Sequence, residues 1–157
     1  LAVATLNKRN ISKKDFKKFH PSGSLGTKLK TAEDLMLTKD KIPFINENST
    51  MQLALKIITQ KKLGILIAKN NKGITTGIIT DGQVRRISQK NNNLHSLKVK
   101  KVMTKNPIKI DKETLAIKAL SIMNSKRITS LCVYEKNKKS KTIGVIHIHN
   151  VLENNIN

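Results

Sequence analysis

Tryptophan is absent from these 157 residues, tyrosine occurs once and phenylalanine three times. So few aromatic rings leave little on which unpaired bases stack, and single-strand nucleic-acid binding loses a usual support. Cys132 is the sole cysteine, in the apolar run SLCVY. One thiol cannot form an intrachain disulfide, and its apolar setting suits a reducing compartment, so a cytoplasmic location is expected. No apolar run approaches the roughly 20 residues that cross a bilayer, and no signal-peptide pattern is visible, so no membrane partner is expected. Leu1, not Met, begins the sequence, and LAVATLNKRN reads as a helix end, so the chain is expected to be a fragment.

Acidic residues are also scarce: 10 against 31 basic, a net charge of +21. Such a surplus ordinarily points to nucleic acid or a membrane surface. Its make-up argues otherwise, because 27 of the basic residues are Lys and only four are Arg. Arginine supplies the planar fork used for base and phosphate recognition, whereas lysine is a hydrated point charge. The lysines are scattered over every predicted solvent face and turn, which reads as a solvated coat. Nucleic acid is therefore not the expected partner, although the positive field still draws in phosphorylated small molecules.

What the chain does contain is a repeat. GIITDGQV (77–84) matches GVIHIHNV (144–151) at an offset of 67, and Met51, Ala54, Leu55 and Ile58 match Ala116, Ala119, Leu120 and Met123 at 65. Met36-Leu37-Thr38 is echoed by Val102-Met103-Thr104. Each copy reads as a short strand, an amphipathic helix, an apolar strand, a second strand and a closing helix. The first copy predicts a strand over Ile42 to Ile45, a helix capped by Ser49 and running to about Lys62, the strand GILIA (64–68), and a helix after Asp81-Gly82. The second predicts a strand over Ile108 to Ile110, a helix over 114–126 capped by Thr114 or Asp111, the strand SLCVY, and a helix around Val151. Residues 1–10 and 13–19 read as helical, and the Gly-, Pro- and Ser-rich run HPSGSLGTKL (20–29) as a loop with no regular element.

This order of elements, with a glycine-led strand entering a short helix in each half, resembles a tandem pair of cystathionine-β-synthase-type (CBS) domains. The resemblance implies an α/β fold of two βαββα-type repeats about a pseudo-two-fold axis, over residues 31–92 and 97–157. Residues 1–30 then resemble the end of a sugar-isomerase (SIS) domain and its linker, as in arabinose-5-phosphate isomerases. Lys62-Leu63-Gly64, then Gly77, Thr80, Asp81, Gly82, Arg85 and Arg86, match that family's first repeat. Ile128-Thr129-Ser130 and His147-Ile148-His149 match its second. The family isomerises D-ribulose 5-phosphate to D-arabinose 5-phosphate on the route to the Kdo sugar of lipopolysaccharide, without a cofactor. The resemblance gives His20 an active-site role, exercised only beside a SIS domain that the chain mostly lacks, so these residues alone are expected to be inactive. It also implies a homo-oligomer.

CBS pairs resemble one another in binding nucleotides between their repeats, through a Thr or Ser at the last strand end and an Asp three residues later. Here those places hold Thr80 with Gln83 and His147 with Asn150, so neither copy has the carboxylate that best accepts two ribose hydroxyls. Thr80, Asp81, Gln83, Arg85, His147, His149 and Asn150 are the expected ligand-binding residues, with a nucleotide or CMP-Kdo as regulator. His147 and His149 stand two apart on a predicted strand and thus on one face, but no third ligand is evident and no metal is expected. Two other functional classes stay open at this point: a free-standing nucleotide or sugar-nucleotide sensor, and a basic nucleic-acid-associated module.

Overall fold

A computed structural model describes residues 24–156. The helices expected over 1–10 and 13–19, and His20 with them, lie outside the described residues. A short helix α1 (Ser24–Lys28) and a four-residue α2 (Ala32–Leu35) come first. They lead into β1 (Phe44–Asn46), α3 (Met51–Lys61), β2 (Ile65–Lys69), β3 (Thr75–Thr80) and α4 (Asp81–Ser88). The second copy comprises α5 (Val99–Val102), β4 (Thr104–Lys105), β5 (Lys109–Asp111), α6 (Ala116–Lys126), β6 (Ser130–Tyr134), β7 (Gly144–His147) and α7 (Ile148–Leu152).

The amphipathic faces behave as their spacing predicts. Met51, Ala54 and Ile58 of α3 are buried, as are Ala116, Ala119, Leu120 and Met123 of α6. Three local expectations need correction. HPSGSLGTKL is not wholly irregular, because α1 occupies its second part; Pro21, Ser22 and Gly23 precede that helix in the sequence, Ser24 begins it, and Gly26 inside it is buried. Thr50, not Ser49, caps α3 by accepting the Leu53 N–H, because the helix begins at Met51 and Thr50 is the extended residue just before it. No side chain caps α6. Asp111 Oδ1 accepts the Glu113 N–H in the preceding turn, and the first helical N–H, of Ala116, bonds to the Lys30 carbonyl at 2.8 Å. A distant segment therefore satisfies the donor that a cap would have taken.

That last bond belongs to an exchange. Ala116 to Lys30, Ala32 to Thr114 and Glu33 to Lys112 are backbone bonds of 2.8–2.9 Å, and Met51 to Leu97, Val99 to Ser49 and Lys100 to Glu47 repeat them in the other half. Leu37 likewise exchanges both backbone bonds with Val145 of β7, as β4 pairs antiparallel with β3 through Thr104 and Ile78. Each copy's lead-in segment thus completes the other copy's unit. Helices of four residues have no stability of their own; α2 exists because Ala32 is buried among Ala116, Ala119 and Leu120, and α5 because Val99 and Val102 are buried among Met51, Ala54 and Ile58. Lys112 adds a half-exposed clasp, bonding Glu33 at 3.2 Å and Glu135 at 3.1 Å. Solvent screens such pairs, so they contribute little to stability. The exchange also corrects the sequence echo by one residue, since Leu37 is the counterpart of Thr104 and Met36 of Met103.

Among the described residues there are two sheets, ordered β1-β2-β3-β4 and β5-β6-β7. In each, the first strand runs parallel to the second and the second antiparallel to the third. They meet through Ile42, Ile67, Cys132 and Val145, packed with Phe44 and Ile78. Ile67 is the counterpart of Cys132, and Ile78 of Val145. Thr75 and Thr142, another matched pair, bring their hydroxyls to 2.7 Å. A residue that touches its own counterpart lies on the pseudo-axis. The match extends to a cation–π contact with its roles reversed: Lys69 lies 4.4 Å from the Phe44 centroid, and Lys109, the counterpart of Phe44, lies 5.6 Å from the ring of Tyr134, the counterpart of Lys69.

Candidate functional site

The strand ends of both halves open onto one cleft of about 710 Å³. That size suits a drug-sized or nucleotide-sized ligand. Thr80, Asp81, His147 and His149 line it. Thr80 and His147 are counterparts, each ending a strand and capping a helix: Thr80 Oγ1 accepts the Gln83 N–H at 3.3 Å, and His147 Nδ1 accepts the His149 N–H at 3.2 Å. His149 belongs to α7, not to a strand as expected. The two rings still lie 4.9 Å apart, because cap and first turn bring them together. Among the described residues no cluster of three metal-ligating side chains exists.

The cleft does not gather the other expected residues. Gln83 points away: its amide donates to the Val102 carbonyl and accepts from the Thr104 hydroxyl at 3.3 Å, which ties α4 to the start of β4. Asn150 Oδ1 accepts the His147 N–H at 3.2 Å, closing the cap of α7. Of the arginine pair, Arg86 lines the cleft and Arg85 does not.

Among the lining residues to which the sequence reading gave no site role are Lys62, Arg127 and Ser130. Lys62 and Arg127 are counterparts that end α3 and α6 in the left-handed region, at φ 55° and 53°. Glycine or asparagine normally takes that position, and the strain of other residues there is concentrated at functional sites. The matched helix ends were the available signal. With Arg86 they place three cations around the cleft, against Asp81 as the one carboxylate among its lining residues. Asp81 packs beside Gly64, whose φ of +63° and lack of Cβ make the room: a Cβ there would sit 3.1 Å from Asp81 Oδ2.

Burial, with a smaller push from His149, lowers the His147 pKa below its ordinary 6.5. A neutral ring also suits the lone pair that Nδ1 gives to the cap. Above pH 6.5 the ring is neutral folded or unfolded and contributes nothing to the pH dependence of stability. As pH falls through 6.5 towards the lower folded value, the unfolded chain gains the proton first and stability is lost. His147→Ser keeps a capping oxygen without the titration, so its melting temperature should fall less than that of the parent between pH 7.5 and 5.5. Equal falls would remove the assignment. Burial also pushes the Cys132 thiol up to about 11, so it stays protonated and unreactive between the sheets.

A family profile for the CBS domain matches residues 32–90 and 99–156. Arabinose 5-phosphate isomerase of Salmonella typhimurium is 37% identical over 97% of this chain, which spans only 46% of that enzyme. The structure of CBSX2 in complex with AMP superposes with a TM-score of 0.69 at 18% identity, covering 78% of this chain and 93% of the other. A CBS pair crystallised with 5′-methylthioadenosine and S-adenosyl-L-methionine superposes with the same score at 16% identity, over 80% of this chain and 94% of its own. No helix among the described residues is long and apolar enough to cross a membrane. The chain belongs to the CBS domain family, as a tandem pair.

Proposed function

We propose that this chain is the regulatory CBS pair of an arabinose-5-phosphate isomerase, and that its cleft binds a phosphate-bearing small molecule. The observation that carries the ligand is the ring of Lys62, Arg86 and Arg127 around a cleft of nucleotide size. The likeness to the isomerases over 97% of the chain supports the parent enzyme. In that parent, His20 takes part in converting D-ribulose 5-phosphate to D-arabinose 5-phosphate beside a SIS domain, in the cytoplasm and in a homo-oligomer.

No carboxylate stands three residues after Thr80 or His147, and the two amides there, Gln83 and Asn150, are already bonded within the fold. Adenosine nucleotides should therefore bind weakly. A nucleotide-activated sugar of the same pathway, CMP-Kdo, presents a carboxylate and a phosphodiester as two separated anionic groups, which suits cations contributed from both halves of the cleft. Calorimetry of the protein with AMP, ATP and CMP-Kdo should give CMP-Kdo the tightest binding, by about tenfold or more, a difference of about 1.4 kcal/mol. Raising the salt should weaken it, because the cations are exposed to screening. Tight ATP binding would contradict the carboxylate argument. No binding of any of the three would leave the cleft a structural seam.

A further inference from the structure

We infer that the cleft takes one ligand per chain, in one orientation, with a hydrogen-bonding group of the ligand on Ser130. The inference rests on the reading of the cleft as a phosphate-ligand site. A pseudo-two-fold axis by itself implies two equivalent half-sites. Several matched pairs line the cleft from both sides, among them Lys62 with Arg127 and Thr80 with His147. Two differences break the equivalence.

The first is a loop. In the second half Thr104, Asn106, Pro107 and Ile108 line the cleft. None of the corresponding residues 37–43 does so. Between the strand pairing of Leu37 and that of Phe44 the first copy has two more residues than the second has between Thr104 and Lys109. The extra length winds into a single 3₁₀ turn, Lys39–Lys41, and the Lys61 ammonium holds it by donating to the Asp40 carbonyl. Leu37, Asp40 and Lys41 consequently line a separate, smaller hollow of about 270 Å³ against the end of α3. The first half has turned its loop away and closed it.

The second difference is a side chain. Ser130 is 8% exposed, its Oγ has no hydrogen-bond partner, and it lines the cleft. Its counterpart is Ile65, 3% exposed and unable to bond. A buried hydroxyl left unpaired is costly, and native folds seldom keep one without a use. Serine here leaves a hydrogen-bonding position open in the half whose loop also faces the cleft, and nothing equivalent exists in the other half. A ligand therefore has one way to sit: its neutral hydrogen-bonding group on Ser130, its anionic group among the cations.

CMP and AMP serve as probes, titrated into the ¹⁵N-labelled chain and followed by amide shifts. Shifts should gather at residues 104–108 and 127–132, spare 39–41, and fit a single saturating site. Ser130→Ala should weaken binding about tenfold while raising the melting temperature of the unliganded protein, because the substitution removes an unpaired buried hydroxyl. A purely structural serine would not move the two readouts in opposite directions. A second saturating phase with shifts at 39–41, or unchanged affinity in Ser130→Ala, would overturn the one-site inference and leave the cleft a ligand site. Absence of shifts with either probe at millimolar concentration would overturn the ligand reading and this inference together.

Discussion

Gly77→Ala should lower stability by about 3 kcal/mol, a fall of roughly 6–12 °C in melting temperature for a chain of this size. A Cβ at Gly77 would stand 2.7 Å from the Thr104 backbone oxygen and 2.7 Å from Met103 Sδ. The sulfur can swing aside. The oxygen cannot, because Thr104 is held in the ladder between β3 and β4. Gly144 faces the same crossing in the other half, where a Cβ would collide with Met36 Sδ and lie 3.1 Å from the Leu37 oxygen. Here the worst contact is a flexible side chain. Gly144→Ala should accordingly be rescued in large part by Met36→Ala, whereas Met103→Ala should give Gly77→Ala little relief. Thermal or urea unfolding of the four variants tests this, and equal rescue on both sides would show that the backbone yields more readily than the packing implies.

A polypeptide of residues 31–92, the first copy as the sequence divides it, should remain unfolded. Its core lacks Leu94, Val99 and Val102, all buried against α3 in the whole chain. Its third strand loses β4, and it carries Ala32 and Met36 with no second half to receive them. Removing one large buried apolar side chain costs about 2–5 kcal/mol, and total stability is about 5–15 kcal/mol, so the loss exceeds what one half has to spare. Residues 39–105 restore those side chains and β4, and should show more far-ultraviolet ellipticity per residue. Dispersed amide resonances from 31–92 alone would refute the exchange as a determinant of folding.

Much of this architecture was legible because burial follows periodicity. The stripe of Met51, Ala54 and Ile58 and its echo in α6 gave both helices, and GILIA and SLCVY gave both central strands. The exchange was not legible. Four-residue helices carry no periodicity, and a strand pairing with a distant partner leaves no local trace. The same limits apply at the site. Thr80, Asp81, His147 and His149 were found because strand ends in matched copies must face the same opening. Gln83 and Asn150 were misread as facing it because a side chain's direction depends on what else needs its bonds, here the Val102 carbonyl and the His147 N–H. Lys62 and Arg127 were passed over because a left-handed φ leaves no local mark when the residue is neither glycine nor asparagine, and only the match between the two helix ends pointed to them.

The bridge from Leu37 to Val145 also sets an order of events in time. It closes a loop of about 108 residues, and chain-closure entropy makes contacts of such long range late and slow to form. At a ribosome adding roughly 5–20 residues per second, Leu37 waits about 5–20 seconds for its partner strand to be made. For most of that interval Ala32, Leu35 and Met36 have no surface to cover them, since Ala116, Ala119, Leu120 and Met123 are made only late in it and Val151 and Ile156 after it. Residues 32–36, among the first of the described residues to be made, are therefore among the last to be buried, and it is there that a nascent chain is most exposed to chaperones or to a neighbouring copy.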